Sequence, residues 1–144
     1  MNPHQNPFAG NTPQDVTERQ GENAIFIVYG LNQSPDAVDK VKDVCTNFSA
    51  LIRSMRNRFP DAQFSSTISF SANVWDRIFP GKGKPKELET FKEIRGSKYT
   101  AVSTPGDILF HIRARKMGLC YEFASIIDEK LKGAVEAIDE THGF

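Results

Sequence analysis

An α+β sandwich with the element order β-α-β-β-α-β is predicted by three features of the sequence. These are a β-branched and aromatic run beginning near residue 24, two amphipathic helical stripes, and alternating apolar segments set between and after them. The first strand is Ala24-Ile25-Phe26-Ile27-Val28-Tyr29, closed by Gly30. Because it does not alternate with polar residues, it reads as a central strand covered on both faces. Ahead of it, residues 1–22 hold only Phe8 and Val16 as sizeable apolar groups among Asn, Gln, Pro and charge. So little burial cannot offset the entropy of ordering, which predicts a flexible arm over 1–22 and a folded domain over 23–144.

Ser34-Pro35-Asp36 offers a capping hydroxyl, a proline suited to a first helical position and a carboxylate facing the helix dipole, so a helix is expected to start there. Its apolar residues Val38, Val41, Cys45, Phe48, Ile52, Met55 and Phe59 recur at steps of three and four, and Pro60 ends the stripe. Phe64, Ile68 and Phe70 alternate with small hydroxyl residues to mark a second strand. Residues 72–106 then read as a long irregular insertion, with a short apolar patch (Val74, Trp75, Ile78, Phe79) and a basic stretch from Pro80 to Lys86.

A third strand follows, in which Ile108, Phe110, Ile112 and Ala114 alternate with Leu109, His111, Arg113 and Arg115. Gly118 permits a turn into a second helix carrying Leu119, Cys120, Phe123, Ile126, Ile127 and Leu131, with Gly133 as its left-handed terminator. Val135 to Thr141 form the last strand. Right-handed crossovers place the two helix-connected strands at the centre of an antiparallel sheet and the second and fourth outside, a ferredoxin-like arrangement with both helices on one face. The other face lacks a cover, so self-association, at least as a homodimer, is expected.

At 144 residues the chain can bury one core. Eighteen basic and eighteen acidic residues cancel, which removes the field that would gather nucleic acid or an anionic membrane. No apolar run approaches the roughly 20 residues that span a bilayer. The opening residues carry neither a basic n-region nor an apolar core, so cytoplasmic residence is expected. Cys45 and Cys120 lie inside periodic apolar segments and read as reduced core thiols.

Gly81-Lys82-Gly83-Lys84-Pro85 lacks the spacing of a phosphate loop and puts proline where a backbone donor is needed, so it reads as a mobile basic loop. His4, His111 and His142 share no metal-binding spacing. His111 is expected to be a hydrogen-bonded structural residue, although its strand position would also suit a ligand on the bare sheet face. Glu136, Asp139 and Glu140 read as a solvated guard on an edge strand rather than paired carboxylates for proton transfer. No catalytic, cofactor-binding or metal-ligating residue is assigned.

Four stretches in order add a resemblance over about residues 24–144. They are Phe59-Pro60-Asp61-Ala62, Asn73-Val74-Trp75, Ser103-Thr104-Pro105-Gly106-Asp107-Ile108-Leu109-Phe110-His111-Ile112, and Glu140-Thr141-His142-Gly143-Phe144. Together they are similar to the N-terminal half of dye-decolourising (Dyp-type) haem peroxidases, in which two ferredoxin-like halves form one α+β barrel. The resemblance implies peroxide-driven oxidation of dyes or other reductants by an iron-bearing haem. It also implies that the GxxDG aspartate, the distal arginine and the histidine on the iron lie beyond residue 144, since no GxxDG occurs here. On that basis the chain alone is expected to be inactive and to bind haem weakly, its partner being a C-terminal peroxidase half. The competing expectation is a stand-alone, non-catalytic binding or oligomerisation module.

Overall fold

A computed structural model describes residues 13–19 and 21–144. Four strands form one antiparallel sheet in the order β2-β5-β1-β6: β1 (Asn23–Leu31), β2 (Ser65–Phe70), β5 (Ile108–Ala114) and β6 (Val135–Gly143). Helices α1 (Ala37–Arg58) and α3 (Met117–Leu131) cover one face. The two strands that lead into these helices, β1 and β5, are the central pair, as right-handed crossovers require.

Burial along β1 alternates. Ile25, Ile27, Tyr29 and Leu31 are buried under the helices, while Ala24, Phe26, Val28 and Gly30 are only half-buried. The run expected to be covered on both faces is therefore covered on one. Beneath the helices, five aromatic rings interlock. Phe48 lies 5.8 Å from Phe110 and 6.0 Å from Phe123, Phe64 lies 4.9 Å from Phe123, and Tyr29 lies 6.0 Å from Phe110. The Tyr29 hydroxyl donates to Asp128 Oδ1 at 3.3 Å, and burial with that carboxylate raises its pKa well above the usual phenol range.

The α1 stripe holds, but its start differs from the expectation. Asp36 is the capping position and makes no side-chain cap bond, whereas the Ser34 hydroxyl donates instead to the Gly133 carbonyl at 3.4 Å. Ser34 therefore ties the helix entry to the end of α3. Val44 joins the buried set, and Cys45 is half-buried rather than in the core. Cys120 is fully buried, and burial pushes both thiols up to about 11. Gly118 stands within the first turn of α3 rather than in a turn before it, and Gly133 ends that helix at φ +77°.

Residues 72–106 are not wholly irregular. Helix α2 (Ala72–Ile78) opens with the Ser71 hydroxyl accepting from the Val74 N–H at 3.4 Å, and it buries Val74 and Ile78. Seven residues are too few to establish a helical period in sequence, which is why this apolar patch read as irregular. Further on, β3 (Ile94–Arg95) and β4 (Thr100–Ala101) make a small hairpin.

The arm ahead of β1 touches the body. The Gln14 side chain accepts from the Ile68 N–H at 2.7 Å and donates to the Ile68 carbonyl at 3.0 Å, bonding to the outer edge of β2 as a neighbouring strand would. Asp15 pairs with Arg56 at 2.7 Å. His4 and the other residues of the arm up to position 12 lie outside the described residues.

Candidate open sheet face

The face of the sheet away from the helices is built from alternate residues whose cross-strand registers line them up in rows. Thr67, His111, Phe26 and Thr141 form one row across β2, β5, β1 and β6. Ser69, Leu109, Val28 and Asp139 form the next. The Phe26 and His111 rings stack, centroids 4.1 Å apart and 17° from parallel. The ring pair with Leu109 and Val28 makes an apolar centre, bordered by Thr67 and Ser69 on β2 and by Thr141 and Asp139 on β6.

One end of this face is closed. Arg113 is only 4% exposed and has no carboxylate partner among the described residues; its guanidinium donates to the carbonyls of Asp15 at 2.7 Å and Glu18 at 3.2 Å. Its Nε and the buried Ser65 hydroxyl opposite it have no partner among the described residues. A guanidinium buried with backbone partners alone keeps its charge at a cost, and that charge acts on its strand neighbour. At the other end, Gly106 passes so near that a Cβ there would stand 2.5 Å from Val28 Cγ1.

Burial, reinforced by Arg113, lowers the pKa of His111 below its usual value. The imidazole is thus neutral at neutral pH. As pH falls below about 6.5 the unfolded chain takes up the proton before the folded one, so the fold loses stability on acidification. Comparing urea midpoints at about pH 7.5 and about pH 5.5, wild type is expected to lose more than His111→Gln. Equal losses in the two proteins would show that His111 does not couple to folding.

The other residues weighed from sequence do not converge on this face. His142 is held by Glu140 at 2.6 Å on the exposed β6 edge, beside Glu136 and Asp139. The basic stretch from Gly81 to Pro85 is exposed, with Lys84 paired to Asp76 at 3.1 Å. Among the described residues no group of three or more His, Cys, Asp or Glu could hold a metal ion. A cleft of about 690 Å³ between α1, β2 and the arm is lined by Phe48, Ile52, Arg53, Arg56 and Ser66. Its Arg56 is already engaged by Asp15 and by the Phe64 carbonyl at 2.8 Å.

His111 lies flat on Phe26 beside a cation, and His142 is engaged by Glu140 at an open edge. What the arrangement can do chemically is present a half-buried apolar surface, centred on Phe26 and His111, to another apolar surface. Phe26 escaped notice in sequence because its run showed no alternation to say which parity would stay uncovered.

Comparison with known proteins extends over nearly the whole described chain. Residues 13–144 match the family described as Dyp-type peroxidase, N-terminal. The dye-decolorizing peroxidase of Rhodococcus erythropolis is 42% identical over 132 residues, which are 92% of this chain and 38% of that protein. That of Mycobacterium tuberculosis is 38% identical, covering 92% of this chain and 39% of its own length. Among solved structures, a dye-decolorizing peroxidase from Bacteroides thetaiotaomicron superposes with a TM-score of 0.90 at 74% identity, covering 95% of this chain and 44% of that one. A variant of DypB from Rhodococcus jostii in complex with heme gives 0.84 at 32% identity, covering 92% and 43%. The chain therefore spans less than half the length of the relatives it matches. No helix among the described residues is long and apolar enough to cross a membrane.

Proposed function

Because the chain belongs to the Dyp-type peroxidase family, as its N-terminal domain, we propose that it serves as the scaffold half of a haem peroxidase. Its open sheet face is the surface on which the catalytic half packs. The observation that carries this reading is the half-buried patch of Phe26, Val28, Leu109 and His111, in two adjacent rows opposite a fully built core. A sheet with one apolar face wet is an incomplete layer, and a second sheet or helix layer completes it.

Haem, when bound to the second half, supplies the oxidising chemistry. The residues described here do not fit a ligand to its iron, and no step of the reaction is assigned to them. Their part is to exclude water from one side of the domain interface, with a neutral His111 at the centre of the face and Asp139 at its β6 border. The cytoplasm is the compartment we propose, because Cys45 and Cys120 are free thiols.

The test is a haemin titration followed by Soret absorbance, with a dye-oxidation assay, on this chain alone and on the chain joined to a C-terminal family half. The chain alone is expected to bind haemin weakly and to turn over peroxide no faster than free haemin. The joined protein is expected to bind one haem and oxidise dye. Saturable one-to-one binding with turnover by the 144 residues alone would overturn the scaffold reading.

A further inference from the structure

We propose that the cleft between α1, β2 and the arm binds a small monocarboxylate with an apolar body, held by the Arg53 guanidinium and the buried Ser66 hydroxyl. The cleft holds about 690 Å³, a size that takes a small organic molecule. Helix α1 supplies one wall in two parallel lines at four-residue spacing, Phe48, Ile52 and Arg56 beside Ser49, Arg53 and Asn57. The arm from Pro13 to Asp15 and Ser66 of β2 supply the rest.

Two groups in this cleft lack the partners their chemistry calls for. Ser66 stands opposite Ile112 in the strand register, on the helix side of the sheet, and is only 1% exposed. Its hydroxyl has no hydrogen-bond partner among the described residues. A buried hydroxyl left in that state costs free energy, which a polar guest recovers. Arg53 is exposed and forms no ion pair among the described residues. Its neighbour Arg56, by contrast, is neutralised by Asp15 at 2.7 Å and donates to the Phe64 carbonyl at 2.8 Å.

The charges therefore select the guest. Asp15 and Arg56 cancel, so the lining keeps the single positive charge of Arg53, which favours one negative charge and repels cations. A carboxylate suits the pair of donors, since its two oxygens accept from the planar guanidinium and from the Ser66 hydroxyl. Ile52, Phe48 and Pro13 face the remaining volume with apolar groups, so the carboxylate carries an apolar body. The arm wall is fixed before a guest arrives, because Gln14 holds the Ile68 backbone through two hydrogen bonds of 3.0 and 2.7 Å. The cleft lies on the helix side of the sheet, away from the open face, and does not rest on the scaffold reading.

The probe is benzoate, titrated into the 144-residue chain by calorimetry and followed by the shifts of backbone amide resonances. Benzoate is expected to bind one-to-one and to move the amides of Ser49, Arg53, Asn57 and Ser66. Benzamide, of the same shape without the charge, should bind at least about tenfold more weakly. Arg53→Gln is expected to weaken benzoate by a similar factor and to leave benzamide unchanged, whereas Arg53→Lys keeps the charge and loses less. Ser66→Ala should weaken benzoate about threefold without lowering the melting temperature, because the hydroxyl it removes satisfies nothing in the empty cleft. Benzoate that never saturates, or that binds no better than benzamide, would overturn the proposal. So would equal weakening by Arg95→Gln on the β3–β4 hairpin, which would mean adventitious binding to any surface guanidinium. If the amides that move instead surround Arg58, Arg115 and Lys116, the anion occupies the separate cleft at the end of α1 and the assignment to Arg53 and Ser66 is wrong.

Discussion

Phe48→Ala is expected to lower stability by about 3–5 kcal/mol, a large share of the roughly 5–15 kcal/mol that holds a domain together. Phe48 is 4% exposed and sits between the rings of Phe110 and Phe123, so its removal strips edge contacts from both helical and sheet layers. The neighbouring rings belong to a central strand and to α3, neither of which can move inward without disturbing the sheet register. Collapse of the cavity is therefore limited, which places the cost in the upper part of the range for emptied core sites. Cys45→Ala, one turn earlier on the same stripe, removes a half-buried thiol and should cost less than about 1.5 kcal/mol. Thermal or urea melts of the two variants decide the matter. A larger loss for Cys45→Ala would mean that the stripe packs through its other side.

Asp107→Ala is expected to cost about 1.5–3 kcal/mol, the range for a hydrogen bond to a charged group whose partner is left buried. The Asp107 carboxylate accepts from the Leu31 N–H at 2.8 Å, where β1 ends and Leu31 is only 6% exposed. The backbone of Asp107 completes the junction, its N–H donating to the Tyr29 carbonyl and its carbonyl accepting from the Ser71 N–H, both at 2.9 Å. One residue thus ties the end of β1 to the turn between β2 and α2. Asp107→Asn keeps an acceptor oxygen and should lose less than the alanine variant. A urea midpoint for Asp107→Ala equal to that of wild type would mean that water replaces the carboxylate without cost.

Much of the architecture was legible because it is written in short-range periodicity. Ile108, Phe110, Ile112 and Ala114 alternate, and they are the buried face of β5. Val41, Phe48 and Met55 step around α1 by sevens and are its buried line. Gly133 follows the last periodic residue of α3 and has the positive φ expected of a terminator. Helix α2 was not legible, since one N-cap serine and two buried residues over seven positions give no period to count.

The sequence by itself determined the order of the four sheet strands and the two long helices, which parity of β5 and which stripe of α1 go inside, and, through ordered local motifs, the family. Only the tertiary structure decided that Gln14 bonds to the edge of β2 at Ile68, that Arg113 is buried against the carbonyls of Asp15 and Glu18, and that Phe26 stacks on His111. The physical reason is distance along the chain. Periodicities of two and of three to four arise from neighbours that share a strand or a helical turn, whereas these contacts join residues from distant segments, 54 positions apart for Gln14 and Ile68. Their existence depends on the register between strands, and a shift of one residue there would turn His111 from the open face to the core.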